Sequence, residues 1–542
     1  MPVAPAVLAA GLAAGREVVQ AAGRMVLAVA VVRMKEASAP NVRAVPSKGA
    51  VATFARTWAN QERARKLKNE PTLWRAWLRF LASIAMTTQL MRAVAVLGLL
   101  MSVPIDLPAQ STQEATSSAQ PTTNILVLFA DDLGSGDLSL HGGVARTPNI
   151  DRLAREGVEL RRYYGYPLCS PARAALLTGQ MPRRFGIAHA LGPREAGLPA
   201  GLPTLPRTLK SAGYQTWLVG KWHLGVASPP LQSGFDHFYG FEGPEVDYFQ
   251  HTNRRGDVDW QRNGQTVREE GYSTLLLADE AIHLIQERDS SRPFYLQVAF
   301  NAPHFPLSAP DGSLAKYSSL RPAQALRAAV VDVLDDAVGR ILEALDEQGL
   351  RRNTLVVFLS DNGADQTGSN APYRSGKGSV YEGGIRVPCL LRWPGQLPAG
   401  STSQQPTCAQ DLYPTLAAAV GVELTESQRL DGKNVWPAIV AEKAEARGPF
   451  VIAGSDCAIF DGDWKLIETA AGRRSLFHIL NDPGETTDVI TQHADVAQQL
   501  QAKLAEAKQE FSATSARPRP GPGGPGARSG INPRPRQPIR TE

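Results

Sequence analysis

Four short polar motifs stand directly after apolar segments of the sequence, where a buried strand would end. They are Asp131-Asp132, Gly220-Lys221-Trp222-His223, Asn301-Ala302-Pro303-His304 and Ser360-Asp361-Asn362-Gly363. Ligands of open α/β sheets bind beyond the carboxyl ends of the strands. The motifs therefore predict one site that combines carboxylates, an ammonium group and two imidazoles.

The first and the last motif together offer a set of oxygen ligands. Adjacent carboxylates at Asp131 and Asp132 repel each other unless a cation holds them, and Asp361 and the amide oxygen of Asn362 add to the set. A set without cysteine or histidine favours calcium or magnesium over zinc. An isolated Asp-Asp pair is more often a helix cap or a solvated turn, but four such strand ends in one chain favour the metal site.

Cys169 begins the run Cys169-Ser170-Pro171-Ala172-Arg173. We expect Ser170 to cap a helix that has Pro171 at its first position and ends at Gly179, so that Cys169 lies just before the helix. That position favours a nucleophile, and the free backbone N–H groups there bind anions. The alternative is an ordinary buried cysteine, which is the usual role of a lone cysteine.

Strands and helices alternate along the part of the chain that carries these motifs. Buried strands are predicted at 124–130, 215–219, 294–300 and 355–359, and the helices lie at 148–156, 204–212 and 331–345. This alternation predicts an α/β fold, in which helices cover both faces of a large, mostly parallel sheet.

The net charge is distributed unevenly along the chain. The 542 residues carry a formal net charge of +5, but residues 1–90 account for +9 and residues 511–542 for +5, which leaves −9 for residues 91–510. An acidic folded region argues against a duplex-binding protein, and we expect no nucleic-acid partner. The 43% of hydrophobic residues are enough for a large core.

The N-terminal region does not have the composition of a folded domain. Residues 1–90 contain no chemical motif, whereas residues 91–109 have the layout of a signal peptide, with Met91-Arg92 before an apolar run. We therefore predict export, to the periplasm or as a secreted protein, and a start-site error for residues 1–90; a basic targeting extension is the alternative. The apolar run is too short to span a bilayer alone, so we expect no stable transmembrane segment and favour a cleaved signal over a signal anchor.

Two further segments are predicted to lack a packed core. Residues 110–123 are rich in Ser, Thr and Gln and form a predicted linker. Residues 513–542 contain 7 Pro and 5 Gly, and we predict that residues 511–542 are a disordered tail.

Cysteine is too rare for a disulfide scaffold. Besides Cys169 the chain has only Cys389, Cys408 and Cys457. We expect these three to be buried free thiols, and a single disulfide is the alternative.

Further motifs occur in a fixed order over most of residues 124–510. They are Asp131–Gly134, Thr147–Ala154, Cys169–Gly179, Gly220–Gly225, Gly234–Gly240, Ser360–Gly363, Arg374–Lys377, Tyr381–Arg386 and Leu476–Glu485. Together they resemble the signature of the formylglycine-dependent sulfatases, of the arylsulfatase and N-acetylgalactosamine sulfatase type, in the alkaline-phosphatase-like superfamily. The resemblance implies a catalytic domain over 124–448 and a small C-terminal subdomain over 449–510, with a four-stranded antiparallel sheet and a helix.

The resemblance also implies a sulfuric ester hydrolase with a modified cysteine. A second protein, a formylglycine-generating or sulfatase-maturating enzyme, would oxidise Cys169 to formylglycine. One calcium ion would be held by the modified residue and by Asp131, Asp132, Asp361 and Asn362. Ala172 replaces a serine that is common in the family, but the Cys-x-Pro-x-Arg pattern that the maturation enzyme reads is intact.

Five more residues receive roles from the resemblance. Arg173 would fix the modified side chain, while Lys221 and Lys377 would bind the oxygens of the sulfate group. His304 would bind the substrate and protonate the leaving alcohol, and His223 would take a proton from the remaining hydroxyl of the nucleophile. The division of work between the two histidines stays open at this point.

Two other functions also stay open. A phosphate or phosphonate monoester hydrolase of the same superfamily would typically have histidine where this chain has Asn362. An inactive protein that binds sulfated glycans would not need the catalytic residues, all of which are present. Segments Gly234–Tyr248 and Asp259-Trp260 resemble those of arylsulfatases and N-acetylgalactosamine sulfatases, and they imply a sulfated saccharide or an aryl sulfate as the substrate.

Overall fold

The computed structural model describes residues 122–515, the last four by their backbone alone, and these residues belong to one compact unit. The predicted N-terminal extension (1–90), the signal peptide (91–109), nearly all of the linker and the tail beyond Ser515 lie outside the described residues. Among the described helices, none has the length and apolar character needed to cross a membrane.

A ten-stranded sheet forms the centre of the fold. Its strands are β1 (Asn124–Ala130), β2 (Val158–Leu160), β4 (Gln215–Lys221), β5 (His237–Phe241), β6 (Gln261–Arg262), β7 (Gln265–Thr266), β8 (Phe294–Ala299), β9 (Thr354–Ser360), β10 (Cys389–Arg392) and β11 (Ser401–Ser403), while β3 (Tyr163–Tyr164) and β12 (Thr407–Cys408) form a separate pair. The strand order is β11-β2-β10-β9-β1-β8-β4-β5-β6-β7. The central strands β9, β1, β8, β4 and β5 are parallel, and antiparallel pairing with β10 and β6 begins at both sides.

Helices cover both faces of this sheet. They are α1 (Pro148–Glu156), α2 (Cys169–Thr178), α3 (Leu205–Ser211), α4 (Ser273–Gln286), α5 (Asp311–Ala315), α6 (Pro322–Glu347), α7 (Glu382–Ile385), α8 (Leu412–Ala419) and α9 (Trp436–Val440). Alternate residues of β1 point to opposite faces, so Val127 packs in the core that contains α2, α3 and α8, and Leu128 in the core that contains α1, α4 and α6. The predicted mostly parallel sheet with helices on both faces is confirmed.

Helix α1 begins and ends as the sequence predicts; Thr147 precedes it, and Pro148 stands at its first position, where a missing N–H costs nothing. Its first free N–H groups are satisfied from another helix: the Asp335 carboxylate of α6 accepts from the backbone of Asn149 at 3.0 Å and of Ile150 at 2.8 Å. Burial raises the pKa of Asp335 to about 6, although these hydrogen bonds favour the charged form.

A second, smaller sheet follows near the C-terminus. Its antiparallel strands are β13 (Phe450–Ala453), β14 (Cys457–Asp461), β15 (Trp464–Glu468) and β16 (Arg474–His478), and α10 (Ala494–Ser515) packs on one face. The four-stranded sheet with a helix is therefore confirmed. The predicted start of the tail at residue 511 is wrong, because α10 continues to Ser515 and buries Phe511 against the sheet on the same side as Leu500 and Leu504.

All four cysteines are buried and free. The prediction of free thiols at Cys389, Cys408 and Cys457 is thus confirmed, and the alternative of a disulfide is not.

Candidate active site

The predicted site residues converge at one edge of the large sheet. Strands β9, β1, β8 and β4 are parallel neighbours, so their carboxyl ends meet. Asp131 and Asp132 follow β1, Asp361 follows β9, and His304 lies beyond β8. Strand β4 extends two residues beyond its predicted end at Val219, so Lys221 is its last residue.

Cys169 lies inside this cluster. Its Sγ atom donates to Asp131 Oδ1 at 3.3 Å and lies 3.8 Å from Asp132 Oδ1. The predicted cap at Ser170 is wrong: Leu168 caps the helix in an extended conformation, Cys169 is the first helical residue, and the Ser170 hydroxyl instead accepts from the backbone of Leu191 at 3.0 Å. Gly179 ends the helix in the left-handed region, as predicted.

The Cys169 thiol is not activated by its position at the helix start. Burial raises its pKa well above the ordinary value, and the neighbouring Asp131 carboxylate adds to the effect. A reactive thiolate, which the helix start alone would favour, is therefore not what the structure provides. An unmodified Cys169 is a protonated thiol at neutral pH.

Three cations, of which Lys221 and Arg173 are buried and Lys377 is partly buried, balance three buried carboxylates in the cluster. Lys221 Nζ lies 2.5 Å from Asp131 Oδ2, and Lys377 Nζ lies 2.6 Å from Asp132 Oδ2. Arg173 donates to Asp361 Oδ2 at 3.0 Å and lies 3.5 Å from Asp131 Oδ1.

The carboxylates respond differently to these cations. Although burial opposes its charge, Lys221 and His304 hold the pKa of Asp131 well below its ordinary value. Burial and the neighbouring Asp131 raise the pKa of Asp361 to about 7. The cluster therefore has a strongly ionised end at Asp131 and a second carboxyl that would ionise more readily next to a further cation.

The same cluster has the donor atoms of a cation site. Asp131, Asp132, Cys169 and His304 each offer a ligand atom, and these atoms all lie within 4.8 Å of one another. Asn362 Nδ2 donates to Asp132 Oδ1 at 2.7 Å, whereas the buried Asn362 Oδ1 has no hydrogen-bond partner. A buried, unpaired carbonyl oxygen beside two carboxylates fits a hard cation that prefers oxygen ligands.

Asp361 contacts this donor set, but both of its carboxylate oxygens already accept hydrogen bonds, which the sequence did not indicate. Its Oδ1 accepts from the backbone of Asp132 at 3.0 Å and of Asn362 at 2.9 Å, while its Oδ2 accepts from Arg173. His304, which the sequence placed with the substrate, also lies beside this donor set, with Nε2 at 3.7 Å from Asp132 Oδ2.

The two histidines differ in how their ring nitrogens are used. His223 Nε2 donates to the Leu191 carbonyl at 2.9 Å, so its buried Nδ1, which has no partner, is an acceptor. Burial and Lys221 hold the pKa of His223 well below its ordinary value. His304 Nδ1 donates to the Phe305 carbonyl, and burial lowers the pKa of His304 although Asp131 opposes that shift.

Arg327 is a site residue that the sequence analysis missed. This buried side chain donates to the carbonyl of Asp132 at 2.6 Å, to the carbonyl of Pro303 at 2.7 Å and to Asp137 Oδ2 at 2.6 Å. It thereby joins the end of β1 to the loop that carries His304. The available signal was an arginine within the otherwise apolar stretch 325–330, directly before the predicted helix 331–345.

A cavity of about 640 Å³ adjoins the cluster, and Lys377 lines it. The other lining side chains are mainly polar and include Asp365, Gln366, Ser369 and Asn370. The volume is large enough for a small organic ligand, and the lining offers hydrogen bonds rather than an apolar surface.

Comparisons with known proteins agree with this geometry. A family model described as Sulfatase matches residues 123–422. Human N-acetylgalactosamine-6-sulfatase is 37% identical over 372 residues, which are 63% of this chain and 70% of the human protein.

Solved structures give the same result. The crystal structure of Ps i-CgsB is 34% identical with a TM-score of 0.69, and the match covers 73% of this chain and 94% of that chain. The complex of Ps i-CgsB with k-i-k-neocarrahexaose is 33% identical with a TM-score of 0.68 and the same coverage. The chain therefore belongs to the sulfatase family and is a sulfuric ester hydrolase.

Proposed function

We propose that this protein removes sulfate from a sulfated saccharide, with formylglycine made from Cys169 as the nucleophile and one calcium ion at the acidic cluster. One observation carries the proposal: Cys169 Sγ lies 3.3 Å from Asp131, whose other carboxylate oxygen contacts Lys221 at 2.5 Å. The nucleophile position, a metal-binding carboxylate and a cation for the sulfate group are thus in direct contact.

The charge of the cluster supports a divalent cation. Asp131, Asp132 and Asp361 formally balance Arg173, Lys221 and Lys377, so the cluster is neutral by itself and would be doubly positive with the cation bound. Calcium would supply positive charge for the sulfuryl oxygens. Asp131, Asp132, Asp361 and Asn362 would hold it, the last through its unpaired Oδ1.

The state of the thiol supports the modification. Burial raises the pKa of Cys169, so the unmodified side chain is a poor nucleophile at neutral pH. Formylglycine at this position would supply, once hydrated, an oxygen nucleophile for sulfur. Arg173 lies between Asp131 and Asp361 and would orient the modified side chain, while the Lys221 and Lys377 ammonium groups would bind the sulfate oxygens.

The histidines divide the proton transfers between them. His223 has a buried acceptor at Nδ1 and a lowered pKa, which fits a base that removes a proton from a hydroxyl of the nucleophile. His304 faces Asp132 through Nε2, and a proton held there would be given to the leaving alcohol oxygen. The carboxylates Asp131 and Asp132 favour that protonated form against the effect of burial.

A saccharide is the substrate class that the cavity favours. Its polar side chains suit a leaving group with many hydroxyls better than an aromatic ring. Human N-acetylgalactosamine-6-sulfatase and the Ps i-CgsB complex with k-i-k-neocarrahexaose are similar over most of the described residues.

Export and maturation complete the proposal. The signal-peptide layout of residues 91–109 supports export, and the intact Cys-x-Pro-x-Arg pattern at Cys169 supports a formylglycine-generating partner. N-terminal sequencing of the mature protein tests the first point: a mature chain that contains residues 1–80 would contradict it.

Mass spectrometry tests the nucleophile. The tryptic peptide Tyr163–Arg173 from protein made in its native host should carry an aldehyde residue at position 169. The same preparation should release sulfate from sulfated saccharides and from a small aryl sulfate used as a probe, and the Cys169→Ala variant should release none. Unmodified cysteine together with full activity would overturn the mechanism, and faster turnover of phosphate esters would overturn the substrate class.

A further inference from the structure

A buried ion cluster joins the small C-terminal sheet to the large domain. Lys465 of β15 lies 2.8 Å from Glu382 Oε1 and 2.7 Å from Glu485 Oε1, and none of the three side chains is exposed to solvent. Arg386 lies 3.2 Å from Glu382 Oε2, so two cations balance two carboxylates. Buried charges persist only when they are paired in this way.

Glu485 holds both ends of the loop 374–382. Its backbone carbonyl accepts from Arg374 Nη1 at 2.9 Å, and its Oε2 accepts from the backbone N–H of Glu382 at 2.6 Å. The φ angle of Glu485 is 50°, in the left-handed region that a residue other than glycine adopts only when its surroundings hold it there. The conformation is therefore maintained by contacts on both sides of the residue.

Lys377 lies in the middle of this loop. Its backbone N–H donates to the Ala364 carbonyl at 3.0 Å, and its Nζ contacts Asp132 at 2.6 Å. The loop packs closely against α7: a Cβ atom on Gly383 would lie 2.4 Å from the carbonyl oxygens of Arg374 and Ser375. A displacement at the loop ends is thus passed to the segment that carries Lys377.

We propose that Glu485 is a positioning residue for Lys377, acting through the two ends of the loop 374–382, and that Lys465 keeps Glu485 in place. The C-terminal sheet then contributes to the sulfate site without touching the substrate. This inference rests on the proposed role of Lys377 as a ligand of the sulfate group.

A double-mutant cycle tests the inference. In otherwise unchanged, matured protein, Glu485→Gln should lower kcat/KM for a sulfate ester by about 10- to 100-fold, since a small misplacement of a binding group has effects of that size. The rise in KM and the fall in kcat should contribute to this loss in the same proportion as they do in the Lys377→Met variant. In the Lys377→Met background the same Glu485→Gln change should alter kcat/KM by less than about twofold, because its effect is already lost.

Matched variants separate positioning from general destabilisation. Glu468→Gln changes a glutamate of the same small sheet, which pairs with Arg474 at 2.7 Å, and should leave kcat/KM unchanged in both backgrounds. If Glu485→Gln does not fold, Arg374→Met removes one contact with the loop end while leaving the buried ions intact, and should show the same lack of additivity.

The outcomes distinguish the two proposals. Equal losses from Glu485→Gln with and without Lys377 would overturn the positioning role alone. An unchanged kcat/KM for Lys377→Met would overturn the sulfate-binding role of Lys377 and the inference built on it.

Discussion

Lys221 is the residue whose replacement tests the site most directly. Lys221 and Lys210 both contact an aspartate at 2.5 Å, but the Lys221–Asp131 pair is about 1% exposed or less, while the side chains of the Lys210–Asp236 pair are 50% and 33% exposed. Breaking a buried pair costs about 3–5 kcal/mol because a charge is left unpaired, whereas an exposed pair contributes at most about 1 kcal/mol. The two lysines are therefore a matched pair that differs in burial, and of the two aspartates that they contact only Asp131 belongs to the site.

We expect Lys221→Met to lower kcat/KM for a sulfate ester by about 10²- to 10³-fold, the cost of losing one donor to a developing anion. Lys210→Met should leave kcat/KM unchanged. Kinetics at saturating calcium, together with urea unfolding of each variant, separate the loss of activity from the loss of stability. Full activity of folded Lys221→Met protein would refute the assignment of Lys221 to the sulfate group.

Three further predictions follow from the contacts of the described residues. Removal of the proposed calcium ion by a chelator should abolish activity and lower Tm. Asn362→Ala should raise the calcium concentration that restores half of the activity by about tenfold. Activity that survives chelation would contradict the metal site. Replacement of Arg327 by Met should lower the free energy of unfolding by about 3–5 kcal/mol, because Asp137 then loses its buried partner at 2.6 Å; urea unfolding measures the change. Because burial raises the pKa of Asp335 to about 6, the folded state binds this proton more tightly than the unfolded state does. The stability that this group contributes is therefore present at low pH and is lost as the pH rises towards the folded pKa. Between about pH 5 and pH 7 the protein should lose roughly 1 kcal/mol relative to Asp335→Asn, and an equal pH dependence of both proteins would show that Asp335 does not titrate in this range.

The residues at the strand ends could be predicted because buried strands and the ends of parallel strands are easily recognised in a sequence. An apolar run identifies a buried strand, and a parallel sheet brings the ends of such strands to one edge, which is enough to place Asp131, Lys221 and Asp361 together. The sequence could not predict that Asp361 would bond to Arg173, because that contact depends on how α2 crosses the sheet. The cap at Ser170 failed for a related reason: its hydroxyl is used by Leu191, a partner 21 residues away.

Residues that do not contact the site directly are harder to identify from the sequence. Lys465, Glu382 and Glu485 are separated by up to 103 positions, and nothing in their spacing indicates that they share one buried cluster. Trp260, whose segment suggested the substrate class, is fully buried and stacks on His251 at 4.6 Å, so it belongs to the core. Resemblance between short segments can thus reflect packing as well as specificity.

Under the proposed modification, the enclosure of Cys169 would set an order of events during biosynthesis. Every residue of α2 is buried, and Cys169 is 1% exposed. On the proposed chemistry, an oxidising enzyme can reach the Sγ atom only before this helix packs against the sheet. Folding and maturation would then compete for the same chain, and the yield of active protein would depend on the ratio of the two rates rather than on the final stability. A substitution that speeds the packing of α2 would therefore give fewer active molecules even if the stability of the folded protein did not change.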